Sequence, residues 1–353
     1  MFKLFRCGLV AAAMLATCVA PALAWEAAPA AAAAPPLGMS SGILVDLTSG
    51  KILWARDDES PRPPASLTKV LTALVVMRNA RLDDKVVITP EARQAPGGRT
   101  YAEAGWTFSV RDALWGLLLQ SGNDTAIALA QKVSPDGSID GFARMMDATA
   151  KEVGATHSHF GNPHGFDQEG HLSTARDLAL ITMAALKDPV IAEMVATRVH
   201  QVPWGDGTMH TYINHNDMLV RYPGTIGVKT GFTAGAGRSL ISAVRRGNDV
   251  LIAVVMNSPD HYAESKALYD WSFANLGGLR AHPIGVLTSN PRSELLPGEA
   301  STLPKVEQLQ PEVLAEEEGR HVTSGPLLAP VIALVIALAA ASVFRRRSDQ
   351  VSM

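Results

Sequence analysis

Apolar and polar positions change period several times along this chain. Residues 41–47 and 51–55 are short runs rich in Ile, Leu and Val, with Ser49-Gly50 between them. That arrangement predicts a hairpin. A helix is predicted to begin at 65, after Pro63-Pro64, and to run through 76. Further helices are predicted over 110–120, 123–133, 138–152 and 173–187. Three strands follow at 225–230, 239–245 and 250–257, then a closing helix at 261–275. Strands at both ends of this stretch, with helices inserted between them, predict an α/β (α+β layered) fold.

Two apolar runs stand outside that pattern. In residues 1–24, Lys3 and Arg6 precede an apolar stretch, and Ala22-Leu23-Ala24 offers a small-residue cleavage site. This is the composition of a signal peptide. Residues 326–344 form a second apolar run, about the length needed to span ~30 Å of hydrocarbon. Arg345-Arg346-Arg347 follow at once, which predicts a cytoplasmic tail over 345–353 and everything before the span outside. The expectation is an exported chain held in the cell membrane by a single type I span. Residues 25–37 are rich in Ala and Pro and read as a linker. Residues 283–324, with scattered Pro and Glu316-Glu317-Glu318, read as a disordered stalk. One domain, 38–282, remains, long enough for a sizeable core.

Composition narrows the chemistry. The only two cysteines, Cys7 and Cys18, fall in the predicted signal. The mature chain is therefore expected to have no disulfide and no thiol chemistry. A net charge of -3 gives no reason to expect a nucleic-acid partner. His157, His159, His164 and His171 cluster, but their spacing fits no familiar zinc pattern. No metal and no cofactor is expected.

Three short motifs carry the candidate chemistry. In Ser66-Leu67-Thr68-Lys69 the serine and lysine are three apart at a predicted helix start, so they share one face. The helix N-terminus favours a developing oxyanion. A lysine whose pKa is lowered by burial can take the serine proton. An ordinary capped helix has the same spacing. Ser121-Gly122-Asn123 lies between two apolar helical stretches, where a loop can aim a hydroxyl and a carboxamide into a cleft. It also reads as a plain helix–helix turn. Lys229-Thr230-Gly231 closes a strand-like segment. A lysine beside a threonine hydroxyl suits a carboxylate, and glycine lets a substrate approach the strand. A surface strand end is the other reading.

Taken in this order, the motifs resemble those of the penicillin-recognising serine enzymes, and within them the low-molecular-mass D-alanyl-D-alanine carboxypeptidases of the S11 peptidase family. Pro63-Pro64-Ala65 before Ser66 resembles the family's active-site entry. Asn162-Pro163-His164-Gly165, His171 to Asp177, and Asn214-His215-Asn216 resemble further family segments. The resemblance covers about 39–278. It implies a β-lactamase/transpeptidase-like domain, an antiparallel sheet flanked by helices with an all-helical subregion. It implies Ser66 as nucleophile, Lys69 as general base and Ser121 as proton relay. Asn123 would bind the substrate amide, Lys229 and Thr230 its carboxylate, and Gly231 would line the strand. The backbone N–H groups of Ser66 and Phe232 would form the oxyanion hole. The implied substrate is a peptidoglycan stem peptide ending in D-Ala-D-Ala, with β-lactams as inhibitors. Glu169 stands where a class A β-lactamase keeps its deacylating Glu. The rest of that pattern is missing, so slow β-lactam release is expected.

Overall fold

The computed structural model describes residues 33–287. In chain order these begin with strands β1 (Ser41–Asp46) and β2 (Lys51–Arg56), a 3-10 turn (Ala65–Leu67) and helix α1 (Thr68–Asn79). Then come β3 (Lys85–Val87), α2 (Pro90–Arg93), β4 (Thr107–Ser109), α3 (Val110–Leu118), α4 (Asn123–Val133), α5 (Ile139–Glu152), α6 (Ala175–Ala185) and α7 (Pro189–Ala196). The ribbon β5 (Val199–Pro203) and β6 (Met209–Ile213) precedes α8 (Met218–Arg221). The chain closes with β7 (Thr225–Thr233), β8 (Gly237–Arg246), β9 (Asp249–Ser258), α9 (His261–Ala274), α10 (Leu276–Ala281) and β10 (Gly285–Val286).

One antiparallel sheet organises these elements, in the order β10-β2-β1-β9-β8-β7. Side chains alternate across its faces. Ile43, Val45, Ile252 and Val254 join the larger core, under the helices from α1 to α7. Leu44, Leu251 and Ala253 join a smaller core with Leu268 and Tyr269 of α9. Both faces are therefore covered, which is why every residue of β1 is buried. The layering is helices, sheet, helices, as the α+β reading expects.

Helix α1 runs through the middle of the larger layer. Residues 68–76 are all buried, and the helix packs on α3, α4, α5 and α6. An α-helix apolar on every side belongs inside a domain. The first hairpin also forms as expected: Gly50 adopts φ 67°, and its N–H donates to the Asp46 carbonyl at 2.8 Å.

Composition places the end of the domain at 282, but the sheet continues past it. Gly285 pairs with Ile52 and Val286 with Lys51, and Leu287 N–H donates to the Gly50 carbonyl at 2.8 Å. The first residues of the expected stalk thus belong to the sheet. The expected signal (1–24), most of the linker, the rest of the stalk, the membrane span (326–344) and the tail (345–353) lie outside the described residues. Among the described residues, no helix is long and apolar enough to cross a membrane.

Candidate active site

Ser66 sits ahead of α1, not within it. The chain leaves Pro63-Pro64 through the 3-10 turn, and the α-helix begins at Thr68 rather than at 65. Ala65 takes φ 49°, a left-handed conformation that costs a non-glycine residue about 1–3 kcal/mol. Two glycines press against this turn. A Cβ on Gly165, itself at φ 82°, would overlap the Ala65 carbonyl oxygen. A Cβ on Gly231 would lie 3.2 Å from both the Ser66 nitrogen and the Ala65 Cβ. Gly231 thus serves first to let β7 approach the nucleophile's own turn.

Lys69 is fully buried, one turn below Ser66. Its Nζ lies 2.7 Å from Asn123 Oδ1, 2.7 Å from the His164 carbonyl and 2.9 Å from Ser66 Oγ. Burial is the main force lowering its pKa well below the ordinary lysine value, with help from the Lys229 charge and opposition from Asp124. A neutral amine has two N–H groups and one lone pair. The two carbonyl oxygens can only accept. The amide orientation of Asn123 is set because its Nδ2 donates to the Pro96 carbonyl. The remaining partner, the Ser66 hydroxyl, is the one group that can donate to the lone pair. In its neutral form the amine would aim its lone pair at the serine hydroxyl.

Asn123 opens α4, and its own N–H donates to the Gly98 carbonyl at 2.8 Å. Its carboxamide orients Lys69 and keeps one N–H and one lone pair for a substrate amide. Next to it, the buried Asp124 accepts from Thr100 N–H, Thr100 Oγ1, Tyr101 N–H and Thr125 N–H at 2.8–3.0 Å. This fully bonded carboxylate ties the 97–101 loop to the start of α4. Ser121 has φ 56° and lines the cleft with Ser66. It is the second non-glycine residue of the site held in the left-handed region.

The loop supplying the His164 carbonyl is fixed from within. Asn162 Oδ1 accepts from Gly165 N–H at 2.7 Å, and Thr72 Oγ1 donates to the Pro163 carbonyl at 2.6 Å. Gly161 N–H donates to His171 Nδ1 at 3.1 Å, so the neutral ring carries its proton on Nε2, 3.0 Å from Thr68 Oγ1. Burial lowers His171 to about 4 and His164 to about 3. The histidine cluster divides: His157 and His159 are exposed, while His164 and His171 brace the loop under Lys69. Glu169 is exposed on the same loop.

A cleft of about 580 Å³ opens above Ser66. Ser121 and Asn123 line one wall, and Thr230, Gly231 and Phe232 of the edge strand β7 line the other. Phe232 is 69% exposed. Lys229 is not among the residues lining the cleft. It lies 2% exposed, with Nζ donating to the Thr230 carbonyl at 3.0 Å. Burial lowers its pKa to about 7. The basic side chains that line the cleft are Arg238, His164, His215 and His261. Sequence reasoning quoted His215 only within a motif and did not single out Arg238, His261 or Asp124. Apart from position, Asp124 had one signal, its adjacency to Asn123.

A buried lysine within hydrogen-bond reach of a half-buried serine is the geometry that acyl transfer with a lysine base requires. The D-alanyl-D-alanine carboxypeptidase family Peptidase_S11 matches residues 28–260, and the chain belongs to that family. D-alanyl-D-alanine carboxypeptidase DacB2 of Mycobacterium tuberculosis is 37% identical over 240 residues, 66% of this chain and 81% of the relative. DacF of Bacillus subtilis is 31% identical over 252 residues, 69% of this chain and 64% of that protein. Among solved structures, the Streptomyces K15 DD-transpeptidase superposes with TM-score 0.66 and 28% identity, over 69% of this chain and all of that one. A D-alanyl-D-alanine carboxypeptidase from M. tuberculosis H37Rv does so with TM-score 0.66 and 34% identity, over 74% and 99%. The fold is thus the β-lactamase/transpeptidase-like one.

Proposed function

We propose that the chain is a serine-type D-Ala-D-Ala carboxypeptidase acting on peptidoglycan stem peptides. Ser66 attacks the carbonyl of the penultimate D-Ala while Lys69 takes its proton. Ser121 passes a proton to the leaving amine, and the terminal D-Ala departs. Water then hydrolyses the acyl-enzyme. The N–H groups of Ser66 and Phe232 receive the oxyanion, Asn123 the substrate amide, and Thr230 with the charge of Lys229 the terminal carboxylate. β-Lactams mimic that terminus and acylate Ser66. With Glu169 out at the surface, their release is slow.

The observation carrying this reading is the set of three contacts on Lys69, which leaves its lone pair to the Ser66 hydroxyl. Family membership supports the substrate class. The signal-like N-terminus and the apolar run at 326–344 followed by three arginines support export and a single-span anchor, with the cleft on the extracytoplasmic side.

The test is D-Ala release from diacyl-Lys-D-Ala-D-Ala by the full chain, with Ser66→Ala alongside. Release that disappears in the variant supports the activity and the nucleophile together. No release by folded wild type, with resolved dimers from cross-linked wall instead, would turn the reading to an endopeptidase.

A further inference from the structure

One carboxylate lines the cleft among the described residues: Asp167, on the loop that also carries the His164 carbonyl. It is exposed. Its position is nevertheless fixed. Thr233 Oγ1 donates to Asp167 Oδ1 at 2.6 Å, and Gly235 N–H donates to Oδ2 at 3.0 Å. Thr233 Oγ1 in turn accepts from Ala236 N–H at 3.0 Å. These bonds bridge the loop to the turn after β7. They come from a hydroxyl and a backbone N–H, so the negative charge is not neutralised by either. An ionised carboxylate also has acceptor capacity for more than these two.

The place of this charge along the cleft follows from the order of groups on β7. In the proposed reaction the terminal carboxylate lies at Thr230 and the reacting carbonyl at Phe232. The acyl part of the substrate then continues toward Thr233. An extended chain advances about 3.3 Å per residue, so the residue preceding the acylating D-Ala lies beside Thr233. That residue is the third of the stem peptide, and Thr233 holds Asp167. Arg238 lines the same cleft, with its guanidinium donating to the Pro259 carbonyl at 3.2 Å.

We propose that Asp167 is a specificity-determining residue that favours substrates whose third residue ends in a free ammonium group. The inference rests on the carboxypeptidase reading and deepens it. Acylating that amine, as a cross-link does, removes the positive charge and the preference with it. Asp167 therefore biases the site toward stems that have not been cross-linked.

The experiment compares two peptides on the full chain, Nα-acetyl-Lys-D-Ala-D-Ala with a free ε-amine and its Nα,Nε-diacetyl counterpart. Values of kcat/KM are measured for wild type, Asp167→Asn and Asp167→Glu. Wild type is expected to prefer the free amine by about two- to fivefold, the size of one solvent-exposed ion pair. The preference should shrink as salt is raised, a readout that needs no variant. In Asp167→Asn the ratio should fall to about one, and Asp167→Glu should keep most of it. Equal turnover of both peptides by wild type overturns the proposal. So does an Asp167→Asn variant that slows both peptides by one factor and keeps their ratio, because that is the behaviour of a purely structural bridge. Cleavage of neither peptide by folded wild type is a different result: it sinks the carboxypeptidase reading, and the proposal with it.

Discussion

Each wall of the cleft buries a lysine, and the two are satisfied very differently. On the helical wall, Lys69 has three oxygen partners within 2.9 Å. On the sheet wall, Lys229 Nζ donates to the Thr230 carbonyl at 3.0 Å. Burial lowers the pKa of both. Equal burial with unequal bonding points to two uses. Lys69 is held in one geometry, as the proposed role of base requires. Lys229 has fewer partners, so its charged form costs stability, and an anion held at Thr230 would favour that form. After burial, the Lys229 charge is the next cause lowering Lys69 and His215, so the sheet wall helps to tune the helical one.

The sharpest way to break this comparison is at the base. Lys69→Ala is expected to lower the rate of Ser66 acylation by about 10³–10⁴-fold, the upper range for a lost general base. Labelling with a fluorescent penicillin under single-turnover conditions measures it directly. Acylation as fast as wild type would remove Lys69 from the role.

The second expectation concerns stability. Lys229 titrates near 7 when folded and near 10.5 when unfolded. Below about 7 both states bind its proton, and the folded state bears the full penalty. Between about 7 and 10.5 the unfolded state binds more protons, so this group makes stability rise with pH across that window. At about 1.36 kcal/mol per unit, the penalty at neutral pH is on the order of 4 kcal/mol. Lys229→Met should therefore be more stable at pH 7 by up to about that amount, less the lost bond to Thr230, while turnover falls. It should also flatten the rise in stability above pH 7. Denaturant titrations at pH 7 and 9 test both. A Lys229→Met chain less stable than wild type at pH 7 would show that the lysine is not strained by burial.

How much of this was legible in the sequence depends on the range of the interaction. The sheet strands and most helices followed from periodicity, because both sheet faces and α1 are buried and the sequence is apolar wherever they are. The spacing of Ser66 and Lys69 also survived translation, since one helical turn separates them whether the first half is 3-10 or α. The β5–β6 ribbon was missed. Its outward face carries Val199, Met209 and Ile213, about half exposed, so the apolar-in, polar-out signal of a strand is blurred. Its one clear cue is Asp206-Gly207 at the turn. Nor could the sequence give the third contact on Lys69. The His164 carbonyl is a backbone group, and every residue has one. Only the fold says which of them lies 2.7 Å from the amine.

That carbonyl gives a third test, on the helical wall. Gly165→Ala places a Cβ against the Ala65 carbonyl and forces φ 82° on a non-glycine residue. The expected loss is about 3 kcal/mol of stability, from backbone strain and overpacking together. Because the shift moves both the His164 carbonyl and the Ser66 turn, acylation should slow more than substrate binding weakens. A KM rise with kcat unchanged would mean that the loop contacts only the substrate. Gly170→Ala, on the same loop at φ 77° but with nothing nearer its Cβ than 3.7 Å, separates backbone strain from displacement of the base.

The smallest expected effect is the dependence on acid. His171 titrates near 4 when folded and near 6.5 when unfolded. Between those values the unfolded state binds more protons, so stability falls as pH drops from 6.5 toward 4. At pH 5 the loss from this residue is at most about 2 kcal/mol, at about 1.36 kcal/mol per unit. His164, which titrates near 3, acts in the same direction and extends the loss to lower pH. Lys229 contributes nothing in this range, because it is protonated in both states there. His171→Gln should therefore reduce the slope of stability between pH 6.5 and 5, with the carboxamide oxygen accepting from Gly161 N–H and its NH₂ donating to Thr68 Oγ1. Thermal melts at pH 7, 6 and 5 measure the slope. If wild type and His171→Gln lose stability in parallel, the acid sensitivity comes from a group other than His171, with His164 the next to test.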